Sequence, residues 1–212
     1  MLISAERTVL FLKKRMISIV ILCALVLMAA SVTLVQAEQQ RLSAKLIRLH
    51  VVANSDSAHD QAVKLEVRDA VSAAAKALLD GAEDPRAALA GSLDAIADAA
   101  AARLRELGED LPVTVRLGKE RFPTREYDTF SLPAGVYESL RVTIGAGKGH
   151  NWWCVVFPSL CLTSSMDELE LAAQTAGFSI GEIRLITGEE DFRLKFRVLE
   201  LLQQLKCAIA GA

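Results

Sequence analysis

Ile47-Arg48-Leu49-His50-Val51-Val52 runs into Ala53-Asn54-Ser55-Asp56-Ser57 and then into the long stretch Ala58 to Leu79. In the first segment Ile47, Leu49 and Val51 alternate with Arg48 and His50, the period of two expected of a strand with one buried face. The polar run Asn54 to Ser57 ends that strand, and Ser57 with Asp60 three residues later forms a capping pair that opens a helix. Val63, Val67, Ala70, Val71, Ala74 and Leu78 then recur at helical spacing, with Lys64, Arg68, Asp69 and Lys76 on the other faces, until Gly81. A strand feeding an amphipathic helix through a short polar loop is the unit on which the remaining segments must pack.

Beyond that unit, Asp84-Pro85 supplies an N-cap and a first-turn proline for a second helix, whose stripe Leu89, Leu93, Ile96, Ala100, Leu104 and Leu107 closes at Gly108. Val113, Val115 and Leu117 alternate with Thr114 and Arg116. Leu140, Val142 and Ile144 alternate with Arg141 and Thr143, and Trp152 to Phe157 forms a fourth strand after a hairpin loop at Gly145 to Gly149. The expected fold is α+β, a mainly antiparallel sheet covered by two helices on one face. Phe192, Phe196, Leu199 and Leu202 mark a C-terminal amphipathic helix over 189–212, which more simply covers its own domain than binds a partner. The division expected is a signal peptide or membrane anchor at 1–37, an α+β domain at 38–163, a linker at 164–188 and the C-terminal helix.

The balance of 24 basic and 26 acidic residues leaves a net charge of -2, so no cationic field favours a phosphate backbone and nucleic acid is set aside as a partner. Lys13, Lys14 and Arg15 precede Met16 to Val35, a mostly aliphatic run without a charge, which ends in Val35-Gln36-Ala37. Such a segment engages the membrane during export, and the cationic flank stays on the cytoplasmic side. Cleavage after Ala37 and retention as an anchor through residues 16–35 both place the remainder outside. Cys23, behind the bulky Leu22, reads as a structural cysteine in an apolar segment.

The same sequence lacks the signatures of an enzyme. Gly177-Phe178-Ser179-Ile180-Gly181 has the form of a nucleophile elbow, but His50, His59 and His150 all precede it, whereas the hydrolase order places the base after the serine. Gly145-Ala146-Gly147-Lys148-Gly149 fits neither phosphate-loop spacing. His150, Cys154 and Cys161 lack the spacing of a zinc site, and Asp56, Asp60, Glu66 and Asp69 are explained by capping and solvation. No catalytic group, metal or cofactor is expected. Cys154 and Cys161 flank a segment that Pro158 can turn back; outside the cytoplasm they form either a disulfide or two buried thiols. His50 and His59 read as ordinary strand-face and helix-cap residues.

Two stretches carry a family resemblance. Ile47 to Asp56, continuing through Asp60-Gln61 and Lys64 to Val71, resembles the opening of stage II sporulation protein R. Phe122-Pro123-Thr124, Leu132 to Tyr137, Leu140 to Gly145 and above all Asn151-Trp152-Trp153-Cys154-Val155-Val156-Phe157-Pro158-Ser159-Leu160-Cys161 are similar to its core, with a looser likeness over Phe192 to Glu200. The N-terminal region and the stretch Ser164 to Gly188 show no such match. The resemblance implies a protein made in the forespore and exported into the intermembrane space. There it activates a membrane-embedded receptor aspartic protease in the mother-cell membrane, leading to processing of a pro-sigma factor. It also implies a ligand rather than an enzyme; the alternatives are a cell-envelope hydrolase with an unrecognised active site and a structural envelope protein. Candidate partner-binding residues are Asn54, Ser55 and Asp56 in the polar loop and Asn151, Trp152 and Trp153, since polar loop groups and adjacent tryptophans can form an anchor with a satisfied rim. On a strand the two tryptophans point to opposite faces, so only one is expected to be exposed.

Overall fold

The computed structural model describes residues 2–160 and 165–188. The chain divides into two units, residues 1–39 and 40–212. The first is the greater part of helix α1 (Leu2–Ala44), on which the large apolar side chains Met16 to Leu27 are exposed. Among the described residues no helix is long and apolar enough to cross a membrane.

The second unit is α+β. Strand β1 (Ile47–Val52) leads into α2 (Ala58–Leu79), α3 (Pro85–Ala90) and α4 (Leu93–Glu106). These are followed by β2 (Val113–Phe122), the short strands β3 (Arg125–Glu126) and β4 (Ser131–Leu132), then β5 (Gly135–Ile144) and β6 (Asn151–Phe157). The main sheet has the order β2-β5-β1-β6, with β2 and β6 antiparallel to their neighbours and β1 parallel to β5. The sheet is therefore mixed but mainly antiparallel. Ser57 caps α2 as its sequence indicates, its hydroxyl accepting from Asp60 N at 3.0 Å, and Gly81 follows the helix end with a left-handed φ of +73°. Val63, Val67, Val71, Ala75 and Leu79 of α2 and Ile96, Ala100 and Leu104 of α4 pack on Leu49, Val51, Leu140, Val142, Ile144, Cys154 and Val156, the core between helices and sheet.

Four expectations are corrected here. The second helix is two: Gly91 and Ser92 interrupt it between α3 and α4, because glycine weakens a helix interior and the break lets both Leu89 and Ile96 reach full burial; Leu107, expected on the stripe, is part-exposed at the C-cap. The loop Gly145 to Gly149 is no hairpin, since β1 lies between β5 and β6 and the loop must cross its end. Strand β1 buries all six of its residues rather than one face. Finally, the stretch expected as a linker carries α5 (Met166–Thr175) and α6 (Ile180–Thr187), opened by Ser165 and Ser179 as N-caps. The expected C-terminal helix at 189–212 lies outside the described residues.

The second face of β1 is covered because the segment after β2 folds back over it. Tyr127 in the β3–β4 ribbon receives a 2.6 Å hydrogen bond from Arg48 Nη2, and it stacks on Phe130 at 4.4 Å. Tyr137 donates to Pro133 O at 2.6 Å, tying the end of this segment to β5.

Candidate partner-binding site

The polar loop between β1 and α2 is a clasp for the crossover loop between β5 and β6. Asn54 Oδ1 accepts from Ala146 N at 2.9 Å, while the carbonyls of Asn54 and Ala53 accept from Lys148 N and Gly149 N at 3.1 and 3.0 Å. Asp56 accepts from the backbone and the ring Nδ1 of His150. Gly149 is required by the closeness of this approach, because a Cβ there would run into the backbone carbonyl of Ser55. Within the clasp Asp60 takes hydrogen bonds from Ser55 Oγ and from Asn54 Nδ2. The Ser55 hydroxyl first, then Asn54, Ser57 and the nearby His59, outweigh desolvation and hold the Asp60 carboxyl below its ordinary value. Lys64 is buried beneath, donating to Gln61 Oε1 at 2.6 Å and His150 O at 3.2 Å. Burial pushes its ammonium pKa down, with Arg68 adding to the effect and Asp56 opposing it.

This arrangement unites the two sets of residues singled out from the sequence. Asn54, Ser55 and Asp56 lie beside the loop that delivers Asn151, so their side chains are engaged in holding that loop as well as being partly accessible. Trp152 and Trp153 do face opposite sides of the sheet. Trp152 is 36% exposed on the helix side with the Arg68 guanidinium 4.4 Å above its ring. Trp153 is half-buried on the other side, stacked on His50 at 3.8 Å and edge-on to Phe122 at 4.7 Å.

That second sheet face holds a constellation the sequence reading missed. Cross-strand register sets Arg116 opposite Arg141, Arg141 beside His50, and His50 opposite Trp153. Glu120, two same-face positions further along β2, reaches into this row: its carboxylate meets His50 Nδ1 at 2.9 Å, Arg141 Nη1 at 2.7 Å and Ser139 Oγ at 3.0 Å. Desolvation raises the Glu120 pKa, but the bond and charge of His50, with Ser139 and Arg141, hold it net below the ordinary carboxylate value. His50 Nε2 lies 2.9 Å from Asn151 Oδ1, so this ring is fixed from both nitrogens. Deeper in the layer, Arg48 is fully buried with its guanidinium 4.2 Å over Phe122 and 5.1 Å over Tyr137. The aromatic faces offset part of the cost of burying that charge. The signal that could have revealed this face is the alternation of β2 continued past Leu117, where Glu120 and Phe122 keep the same parity as Arg116.

Ser179, the centre of the elbow-like string, is the N-cap of α6. Its hydroxyl accepts from Glu182 N at 3.2 Å and Glu182 Oε2 accepts in return from Ser179 N at 2.7 Å, a capping box. Lys45 Nζ binds the same carboxylate at 2.7 Å and Gly177 O at 2.9 Å, fastening the α5–α6 turn to the start of β1. Cys154 is buried; Cys161, the other half of the expected pair, lies outside the described residues. Among the described residues no group of histidine, cysteine and carboxylate side chains could hold a metal ion.

Comparison with known proteins gives these observations a context. The family model described as Stage II sporulation protein R matches residues 43–167, a range that takes in the whole sheet and the clasp. Stage II sporulation protein R of Bacillus subtilis (strain 168) is 38% identical over 118 residues, which is 54% of this chain and 53% of that protein. The chain thus matches about half the length of this curated relative. No solved structure matches the chain. The match extends over more than half the sequence and includes both the loop Asn54 to Asp56 and the strand Asn151 to Phe157, so the chain belongs to the stage II sporulation protein R family and has a role in sporulation.

Proposed function

We propose that the chain is an exported sporulation signal, which acts by contact and not by catalysis. Released from the forespore into the intermembrane space, its folded body engages a membrane-embedded aspartic protease in the mother-cell membrane and so brings about processing of a pro-sigma factor. The observation that carries this reading is the family match, which coincides with the folded body from the end of α1 to the start of α5. Export is supported by the cationic cluster Lys13 to Arg15 followed by the charge-free run Met16 to Val35. Contact rather than catalysis is supported by the side chains with chemical potential: Ser179 caps a helix, and the buried His50 is bound to Glu120.

The direct test is to add purified residues 38–212 to membranes that carry the receptor protease and its precursor substrate. Processing should begin on addition and require the protease. No gain in processing, or conversion of the precursor by the chain in membranes without the protease, would contradict the proposal.

A further inference from the structure

The open part of the second sheet face is charged in a way that the fold itself does not explain. Its strand positions expose two guanidinium groups, Arg116 and Arg141, with Arg48 buried deeper in the layer, against a single carboxylate, Glu120, in a chain whose net charge is -2. Arg116 and Arg141 stand directly opposite in the antiparallel ladder, where like charges oppose folding. Glu120 is already shared by Arg141, His50 and Ser139, and among the described residues Arg116 makes no ion pair. Arg116 is exposed, and Arg141, although its Nη1 is bound to Glu120, is 43% exposed in its side chain, so the Arg116 fork and the remaining edge of the Arg141 guanidinium are accessible.

We infer that this pair is a docking site for an acidic, extended segment of a partner protein, with one carboxylate received by each guanidinium. The inference rests on the contact-signal reading above and names the surface and the chemistry of the partner. A fork-shaped guanidinium binds a carboxylate through two parallel hydrogen bonds, and two forks side by side on adjacent strands read a pair of acidic side chains. Thr114 and Thr143, opposite one another in the next row of the same face, add hydroxyl groups to the rim. A phospholipid surface fits less well: polybasic membrane sites gather about four to eight cations, whereas this face exposes Arg116, Arg141 and, over Trp153, Arg125, and the chain as a whole is anionic.

Binding of fluorescein-labelled octaglutamate to the full-length chain in neutral detergent, followed by anisotropy, tests the inference. The expected result is salt-sensitive binding that Arg116→Glu weakens by about tenfold or more, while Lys148→Glu, on the exposed crossover loop, stays within about twofold of the parent. Because Arg116→Glu replaces a like-charged pair by an opposite-charged one, its melting temperature should equal or exceed that of the parent, which separates lost docking from lost folding. Absence of octaglutamate binding, equal binding by the parent and Arg116→Glu, or Arg116-dependent binding only to phosphatidylglycerol vesicles would each overturn the inference. The processing assay separates the two levels. Failure of the parent chain to stimulate processing refutes the signalling role, whereas parent activity that Arg116→Glu leaves intact refutes this site alone.

Discussion

Replacing Glu120 by glutamine should remove the electrostatic centre of the second sheet face while keeping its shape. The carboxylate receives His50 Nδ1, Arg141 Nη1 and Ser139 Oγ, and two of these three partners, His50 and Ser139, are almost wholly buried and cannot turn to water. A glutamine retains one acceptor oxygen and presents an NH2 group to donors it cannot satisfy. Charge-assisted hydrogen bonds contribute about 1.5–3 kcal/mol each. With one acceptor retained and Arg141 free to hydrate, the net loss should be about 2–3 kcal/mol. For a chain of this size that corresponds to a fall in melting temperature of roughly 5–10 °C. The loss should also depend on pH. Because the folded state holds Glu120 below the ordinary carboxylate value, its contribution is present above that value and disappears as the pH falls through the lowered one. Melting curves of parent and Glu120→Gln followed by circular dichroism should therefore differ most near neutrality and converge on acidification below the usual carboxylate range. A difference under about 2 °C at neutral pH, or one that does not narrow with acid, would refute the reasoning.

Three further substitutions probe other parts of the structure. Gly149→Ala forces a Cβ onto the Ser55 carbonyl, within 2.5 Å of its carbon and 2.8 Å of Ala53 Cβ, and should cost about 3 kcal/mol or more by urea unfolding; a cost below about 1 kcal/mol would show that the clasp yields freely. Ser179→Ala should cost about 1 kcal/mol through loss of the α6 cap and leave precursor processing unchanged, whereas abolished processing in a folded variant would revive the hydrolase alternative. Lys64→Met removes a buried ammonium whose pKa burial lowers; stability should change by less than about 1.5 kcal/mol, because the desolvation relieved offsets the bonds lost to Gln61 and His150, and a larger loss in melts would show those bonds dominate.

Much of the architecture is legible in periodicity. The stripe Val63, Val67, Val71 and the alternations of β1, β2 and β5 identify the layers, because each of these segments packs one face on a single core. What period and composition cannot convey is how strands are ordered. Insertion of β1 between β5 and β6 depends on long-range pairing, so the loop Gly145 to Gly149 looks like a hairpin when it is a crossover held by Asn54 and Asp56. For the same reason Arg48 and His50 suggest a solvent face, although Tyr127 of the β3–β4 ribbon caps Arg48 and Trp153 stacks over His50. The serine caps of α5 and α6 were readable, as Ser165 and Ser179 each precede a glutamate by three residues, but Gly177 and Gly181 around Ser179 favour the reading of a loop. The site followed the same division. Asn54 to Asp56 and the tryptophan pair stand out locally, whereas the Glu120 cluster exists only once β2 is laid beside β5 and β5 beside β1.

On the proposed function, the folded body acts after it has crossed a membrane. The measurement that addresses it most directly is spore formation in a Bacillus subtilis strain lacking its own stage II sporulation protein R, supplied either with the full-length chain or with the same chain beginning at Glu38 behind an initiator methionine. Spores should form with the first and fail with the second, although both accumulate folded. Equal spore yield from the leaderless chain, retained in the compartment of its synthesis, would contradict the account.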